Sequence, residues 1–114
     1  MIKKRYTEVK EQQVIDYGSQ KTTIRWLITR ENEGAPHFAM RRFEIQPGGL
    51  IGIHHHPQEH EIYFLYGEGE VYNGKETVKV QKDDVIYVPP NEPHGYKNTG
   101  TEPLVFICVI PYLD

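Results

Sequence analysis

The sequence predicts an all-β protein, built as a sandwich or a small barrel. Eight prolines and ten glycines divide the chain into short pieces, and turn signals recur roughly every 8–12 residues, a spacing typical of such folds. Most pieces alternate β-branched or aromatic residues with polar ones, which is the two-residue period of a strand. No stretch carries the apolar period of an amphipathic helix, so we expect no helix. The length fits one domain over residues 1–114, with an N-terminal arm (1–20) and a β-barrel (21–114).

The first half of the chain is predicted to contain the arm and two strands. Residues 1–20 have few apolar positions, and we expect a short strand at residues 1–6 within an irregular arm that packs across the body or onto a partner subunit. Residues 21–30 and 37–46 alternate strand-forming residues and predict strands joined by a loop. A Pro-Gly-Gly turn at residues 47–49 is predicted to end the second strand.

A stretch near the middle of the chain, GGLIGIHHHPQEHEIYFLYG, holds four of the six histidines. In an extended strand His54 and His56 share one face, and His55 points to the other. Pro57 cannot donate to a sheet ladder and predicts a break, after which His60 begins the next strand. If the two strands are antiparallel neighbours, His54, His56 and His60 converge on one point. We therefore hypothesise that this point holds a metal ion.

The strand that begins at His60 is expected to fill the barrel with alternate side chains. Those that share the parity of His60 are Ile62, Phe64 and Tyr66. Glu61 lies on the other face and is expected at the surface, unless a slip of register makes it the metal ligand in place of His60.

The second half of the chain predicts a hairpin and three further strands. Asn73 and Gly74 form the strongest short hairpin signal, between two alternating runs. Further strands are predicted at DVIYV, which two prolines stop, at residues 94–100 and at residues 103–111.

His94, at the start of one of these strands, is the predicted fourth ligand of the metal site. Tyr96 shares its parity and is expected at the barrel mouth. On the final strand, Phe106 and Cys108 share the face that we expect to line the barrel. Tyr96, Phe106 and Cys108 are therefore the predicted lining of a substrate pocket, with plain core packing as the alternative for Phe106.

Two segments resemble the paired motifs of the cupin family. The first cupin motif has the form G-x5-H-x-H-x3,4-E-x6-G. Gly48, His54, His56 and Gly67 match it, and His60 stands at the glutamate position.

The second cupin motif has the form G-x5-P-x-G-x2-H-x3-N. Pro89, His94 and Asn98 match it, whereas Asp83 and Asn91 replace its two glycines. Asparagine tolerates left-handed backbone geometry, so Asn91 is a mild departure, and Asp83 is a less obvious replacement.

The resemblance implies a double-stranded β-helix, the cupin jelly-roll barrel, of the small single-domain kind whose metal is held by four histidines. The implied ligands are His54, His56, His60 and His94. Proteins of this kind include dioxygenases and polyketide cyclases. The resemblance favours manganese as the single divalent metal, with Fe, Zn, Ni or Cu as alternatives. Ligand chemistry alone favours Zn, Cu, Fe or Ni, because imidazole nitrogen suits these ions better than Mn.

The expected function is that of a small-molecule enzyme, of dioxygenase or other oxidoreductase type, with its metal in an apolar barrel. Two alternatives stay open: redox-neutral isomerase, cyclase or lyase chemistry with the metal as a Lewis acid, and a non-catalytic small-molecule binding module. A closed tetrahedral zinc site would instead be structural.

Charge and composition argue against several other classes of function. A net charge of −3 offers no basic face for nucleic acid, and no apolar run reaches the roughly 18 residues of a membrane span. The charged start MIKKR lacks the apolar region of a signal peptide. Cys108 is the only cysteine, as expected in the reducing cytoplasm. Both faces of the final strand are apolar, so we expect a homodimer that covers the outer face.

Overall fold

Nine antiparallel strands make up almost all of the regular structure in the computed structural model, which describes residues 1–114. The all-β prediction is therefore confirmed. The strands are β1 (Gln12–Gln13), β2 (Gln20–Ile28), β3 (Phe38–His54), β4 (His60–Tyr66), β5 (Glu68–Tyr72), β6 (Thr77–Gln81), β7 (Val85–Val88), β8 (His94–Asn98) and β9 (Leu104–Pro111). Helical structure is confined to α1 (Arg30–Glu33) and two 3₁₀ turns, Tyr6–Glu8 and Asp16–Gly18. No helix has the length and hydrophobicity needed to cross a lipid bilayer.

The strands form one curled sheet, a jelly-roll barrel, in which β3 is the central element. Hydrogen bonds join the strands in the order β6-β5-β8-β3-β9-β4-β7, with β2 also paired to β3 and β1 to β2. The first part of β3, residues 38–45, pairs with β9, and its last part, residues 50–54, pairs with β8. One strand therefore connects β9 and the strands beyond it to β8 and the strands beyond it. The expected jelly-roll barrel is confirmed.

The turn predicted at residues 47–49 is wrong, because β3 continues through it. Gly48 adopts a left-handed backbone, with φ of +80°, which a residue without a Cβ adopts at little cost. The register between β2 and β3 shifts at the same place, between Gln20 and Thr22. The Pro-Gly-Gly sequence therefore makes a bulge that bends β3 and lets it change its partner from β9 to β8.

Apolar side chains from most strands fill the interior of the barrel. The buried cluster consists of Ile24, Phe43, Ile45, Ile51, Ile62, Phe64, Val71, Val80, Val88, Tyr96, Leu104, Phe106 and Cys108. The predicted burial of Ile62 and Phe64 is confirmed, but that of Tyr66 is wrong, because its side chain is 50% exposed. The register between β4 and β9 shifts between Phe64 and Tyr66. The alternation ends at this bulge, and both Leu65 and Tyr66 are exposed.

The N-terminal residues lie against the barrel without the expected strand at residues 1–6. Tyr6–Glu8 form a 3₁₀ turn instead. The guanidinium group of Arg25, on β2, donates hydrogen bonds to the carbonyl oxygens of Val9 (2.6 Å) and Tyr6 (3.4 Å). This part of the chain is therefore held by a side chain rather than by a strand ladder.

The short helix α1 lies where a loop was expected, so the prediction that the chain has no helix is wrong here. The hydroxyl group of Thr29 accepts a hydrogen bond from the N–H of Asn32 (3.0 Å), and the carboxylate of Glu33 accepts one from the N–H of Thr29 (2.7 Å). These reciprocal caps stabilise a single turn, which is too short to show a helical period in the sequence.

The two residues that replace motif glycines keep the backbone geometry of glycine. Asp83 and Asn91 have φ angles of +72° and +66°, in the left-handed region. The N–H of Asp83 donates to the carbonyl of Phe64 (2.8 Å), and the hydroxyl group of Tyr63 donates to its carboxylate (3.0 Å). The N–H of Asn91 donates to the carbonyl of His56 (2.9 Å). Hydrogen bonds therefore hold both turns in the geometry that the motif requires.

The observed register of β4 predicts different costs for two aromatic truncations. Phe64→Ala removes a side chain with 0% exposure and leaves a cavity, so the free energy of unfolding should fall by about 3–5 kcal/mol. Tyr66→Ala truncates a half-exposed side chain and should cost less than about 1 kcal/mol. Urea unfolding followed by circular dichroism measures both. Equal costs, or a larger cost at Tyr66, would contradict the bulge in β4.

Candidate metal centre

Four histidine rings from separate places in the fold meet in one cluster. His54 ends β3, His56 lies in the following loop, His60 begins β4 and His94 begins β8. For five of the six pairs, the ring centroids are 4.4–5.5 Å apart. The structure therefore brings together all four residues that the sequence predicts as ligands.

Strand pairing assembles this cluster in a different way from the one expected. His54 and His94 stand directly opposite each other in the β3–β8 register. The neighbours of β4 are β7 and β9, so the expectation that His54 and His60 lie on adjacent strands is wrong. Because β9 lies between β3 and β4 in the sheet, it is the curl of the barrel that carries His60 to the cluster.

Hydrogen bonds to the backbone orient three of the four rings. In each of them Nδ1 lies 2.8–3.0 Å from a carbonyl oxygen. The pairs are His54 with Gly52, His56 with Gln58 and His94 with Glu92. A carbonyl oxygen only accepts hydrogen bonds, so each Nδ1 carries a proton and each Nε2 keeps its lone pair. Histidines that bind metals are commonly oriented in this way.

The ring of His60 has different partners. Its Nδ1 lies 2.9 Å from Sγ of Cys108 and 3.4 Å from Nη2 of Arg41, and the same Nη2 donates to the sulfur at 3.0 Å. Its Nε2 lies 2.8 Å from Nε2 of His56. The ring nitrogens of His56 and His60 are therefore directed into the same small space.

The cluster fits a divalent metal ion. The ligand atoms of His54, His56 and His94 lie within 4.8 Å of one another, so these three residues can hold a metal, with His60 beside them. Nε2 of His94 is buried and has no hydrogen-bond partner. A buried lone pair without a partner is costly, and a bound metal would satisfy it.

Burial keeps these imidazoles in the neutral form that binds metals. It lowers the pKa of His60 to about 2 and the pKa of His94 to about 4, and the positive charge of Arg41 acts in the same direction. The pKa values of His54 and His56 are also lowered, chiefly by burial. Protons therefore do not compete with a metal for these nitrogens near neutral pH.

A cavity of about 290 Å³ adjoins the histidines. On the barrel side its lining consists of Ile24, Trp26, Arg41, Phe43, Ile51 and Tyr96. On the other side it is bordered by the arm, through Gln12, Gln13, Val14, Asp16 and Tyr17. A larger groove of about 600 Å³ lies between the N-terminal residues and β2, and none of the predicted site residues lines it.

The three predicted pocket residues occupy different positions relative to this cavity. Tyr96 lines it. Phe106 and Cys108 are 0% and 1% exposed and lie behind its wall. The ring of Phe106 packs against the rings of Phe43, Phe64 and Tyr96, with centroids 5.0–5.2 Å apart. Phe106 therefore supports the cavity from behind.

Two residues of the cavity were missed by the sequence analysis. Arg41 shares the parity of Phe43 on β3, so the alternation along that strand indicated that its side chain faces the interior. Tyr17 stacks on the ring of His54, with centroids 4.1 Å apart and an interplanar angle of 3°. Its carbonyl oxygen occupies the space that a Cβ at Gly52 would fill. Nothing in the local sequence of the arm indicates this long-range contact.

The chain is similar to known proteins in sequence and in structure. It is 37% identical over 70 residues to the oxalate-binding protein of Thermotoga maritima, which covers 60% of this chain and 58% of that protein. The polyketide cyclase RemF from Streptomyces resistomycificus matches with a TM-score of 0.89 and 34% identity, over 97% of this chain and 79% of that chain. A predicted oxalate decarboxylase from Thermotoga maritima matches with a TM-score of 0.84 and 26% identity, over 96% and 97%. The sequence match spans only 50–58% of the first two curated relatives.

A family model described as Cupin domain matches residues 41–110. This segment is more than half of the 114 residues, and it carries all four clustered histidines. The strands that hold those histidines also lie largely within it. We conclude that the chain belongs to the cupin family.

Proposed function

We propose that this cupin is a metal-dependent enzyme that acts on small molecules, of the dioxygenase or another oxidoreductase type. The proposed ligands of one divalent transition metal are the Nε2 atoms of His54, His56, His60 and His94. One observation carries the proposal: Nε2 of His94 is buried without a hydrogen-bond partner, although three other imidazole rings surround it. The carbonyl contacts that orient three of the rings support the same ligand set.

The ligand set is electrically neutral, because no carboxylate belongs to the cluster. Glu61, the alternative ligand, is exposed. A bound metal in this site keeps its full positive charge and supplies Lewis acidity to the oxygen atoms that it binds. The protein contributes the rest: carbonyl oxygens hold the rings in place, and Trp26 and Phe43 limit water in the cavity.

Manganese is our first candidate for the metal, from the resemblance to small four-histidine cupins. Iron, zinc, nickel and copper are the alternatives, because imidazole nitrogen suits each of them. Relatives named for oxalate binding and oxalate decarboxylation support an oxygen-rich small-molecule substrate.

Two specific likenesses favour the alternative functions. The likeness to the polyketide cyclase RemF, at a TM-score of 0.89, favours redox-neutral chemistry with the metal as a Lewis acid. The 37% identity to the oxalate-binding protein favours a module that binds a small molecule without turning it over. The metal dependence of turnover separates these functions, because zinc has no accessible redox change.

Metal loading followed by oxygen uptake tests the proposed function. Metal-free protein is loaded anaerobically with Mn, Fe, Cu, Ni or Zn and then offered oxygen with enols, catechols and alkenes. We expect oxygen consumption with a redox-active metal and none with zinc. Product without oxygen consumption on the zinc form would contradict the oxidoreductase and support the redox-neutral alternative. Tight binding without turnover on every metal form would support the binding module.

Replacement of one proposed ligand should abolish tight metal binding. For His94→Ala we expect metal affinity to fall by more than about 100-fold, beyond the roughly 10- to 100-fold loss caused by removal of an outer contact. His55→Ala is the matched control, because His55 is exposed beside the cluster, and it should bind metal as the unaltered protein does. Calorimetric titration and elemental analysis measure affinity and stoichiometry. Equal affinity in the two variants would contradict the assignment of His94.

We also propose that the protein forms a homodimer in the cytoplasm. The outer face of β4 and β7 carries Tyr63, Val85 and Tyr87, which are 44%, 68% and 55% exposed. Adjacent apolar side chains of this size favour a contact that removes them from water. The free thiol of Cys108 supports a reducing compartment.

Sedimentation tests the dimer. At micromolar concentration the protein should sediment with twice the mass of one chain, and Val85→Glu should shift it to the monomer by placing a charge in the contact. Ile15→Glu is the control, because Ile15, at 78% exposure, is at least as exposed as Val85 but lies on the arm. A clean monomer of the unaltered protein would contradict the proposal.

A further inference from the structure

A guanidinium group is buried beside the histidine cluster. Arg41 lies on β3 opposite Cys108 of β9, is only 9% exposed and lines the cavity. Arginine is almost never buried without a partner of opposite charge.

No carboxylate of the chain forms an ion pair with Arg41, although Asp16 lines the same cavity. The ion pairs of the structure join Lys4 to Glu33, Arg25 to Glu11, Arg30 to Asp114 and Arg42 to Glu44, and none involves Arg41. Nη2 of Arg41 donates to Sγ of Cys108 at 3.0 Å and lies 3.4 Å from Nδ1 of His60; a sulfur atom is a weak acceptor, and both partners are uncharged. Nε is buried with no hydrogen-bond partner.

Two aromatic rings stabilise the cation only in part. Cζ of Arg41 lies 5.4 Å from the ring centroid of Trp26 and 5.0 Å from that of Phe43, within the range of cation–π attraction. Such contacts do not replace the hydrogen bonds that a buried guanidinium group loses with its water. The site therefore holds a positive charge without an ion-pair partner, and a buried N–H donor without an acceptor, next to the proposed metal ligands.

We propose that Arg41 recognises the anionic end of the substrate, and that the substrate is a small carboxylate with a second oxygen donor for the metal. This inference deepens the proposed function. It rests on that function only for the contact between the second oxygen donor and the metal. The cavity, of about 290 Å³, suits a short organic body, and its lining combines apolar side chains with Gln12, Gln13 and Asp16. A carboxylate suits a single guanidinium group. A phosphate would call for more donors, and neither a lysine nor the N-terminus of a long helix lines the cavity.

The test compares organic acids with their uncharged amides on the metal-loaded protein. The probes are pyruvate, glycolate and oxalate with pyruvamide, glycolamide and oxamide, together with catechol as a neutral chelator and inorganic phosphate. By calorimetry we expect each acid to bind about 10- to 100-fold tighter than its amide, as is typical for a hydrogen bond to a charged group. Arg41→Met should remove this preference and leave catechol affinity unchanged. Arg41→Lys should restore part of it, and remains informative if the Met variant does not fold.

Arg42→Met is the matched control, because Arg42 pairs with Glu44 and does not line the cavity. It should keep the full preference for acids. A structural role of Arg41 would weaken acids, amides and catechol together, whereas a recognition role weakens the acids alone. Metal titration of each variant is run first, and ligand affinities are compared at full metal loading, because Arg41 also contacts His60.

Three outcomes would overturn the inference. Equal affinity for acids and amides in the unaltered protein would show that the cavity has no anion site. A preference for acids that survives Arg41→Met would show that Arg41 does not form this site. Phosphate that binds as tightly as the acids removes the carboxylate assignment. Failure of the metal titration would instead refute the proposed function, and the acid-to-amide preference measured on the metal-free protein would then decide the role of Arg41.

Discussion

The register between β3 and β8 is the constraint on which the rest of the site depends. It sets His54 directly opposite His94, and a slip of one residue would turn either ring to the other face of the sheet. Beyond Gly48 the strand leaves β9 and pairs with β8, and a shift of register between Ile51 and His54 then sets the pairing of His54 with His94. The same strand carries Arg41 before the bulge and His54 after it. The geometry of one strand thus positions both the proposed metal ligands and the proposed anion site.

The interior of the barrel holds polar groups that an apolar core would exclude. Four imidazole rings cluster there, one buried ring nitrogen has no partner, and a guanidinium group has no carboxylate. The burial that lowers the pKa values of His60 and His94 is the same burial that leaves Arg41 without solvent. Local violations of good packing are typical of functional sites. In this protein they lie around a single cavity.

The sequence predicted most of what depends on short stretches of chain. The hairpin at Asn73 and Gly74 joins β5 to β6 as expected. A break separates β3 from β4 as expected, but β3 ends at His54, so the prediction that the strand continues through His56 is wrong. The spacing of the histidines was sufficient to select the four rings that cluster. Asp83 and Asn91 keep the left-handed turns of the motif, so the motif was informative even where its glycines were absent.

What the sequence alone determined about this protein is the alternation that makes strands, the residues that break them, and the histidines able to bind a metal. These properties lie in the side chains and in backbone preferences over a few residues. Only the tertiary structure decided that Tyr66 faces outward, that Tyr17 stacks on His54 and that Phe106 lies behind the cavity wall. Each of these depends on a bulge, on the curl of the sheet or on the path of the arm. Such features arise from pairing between distant strands, and counting parity along one strand cannot reveal them.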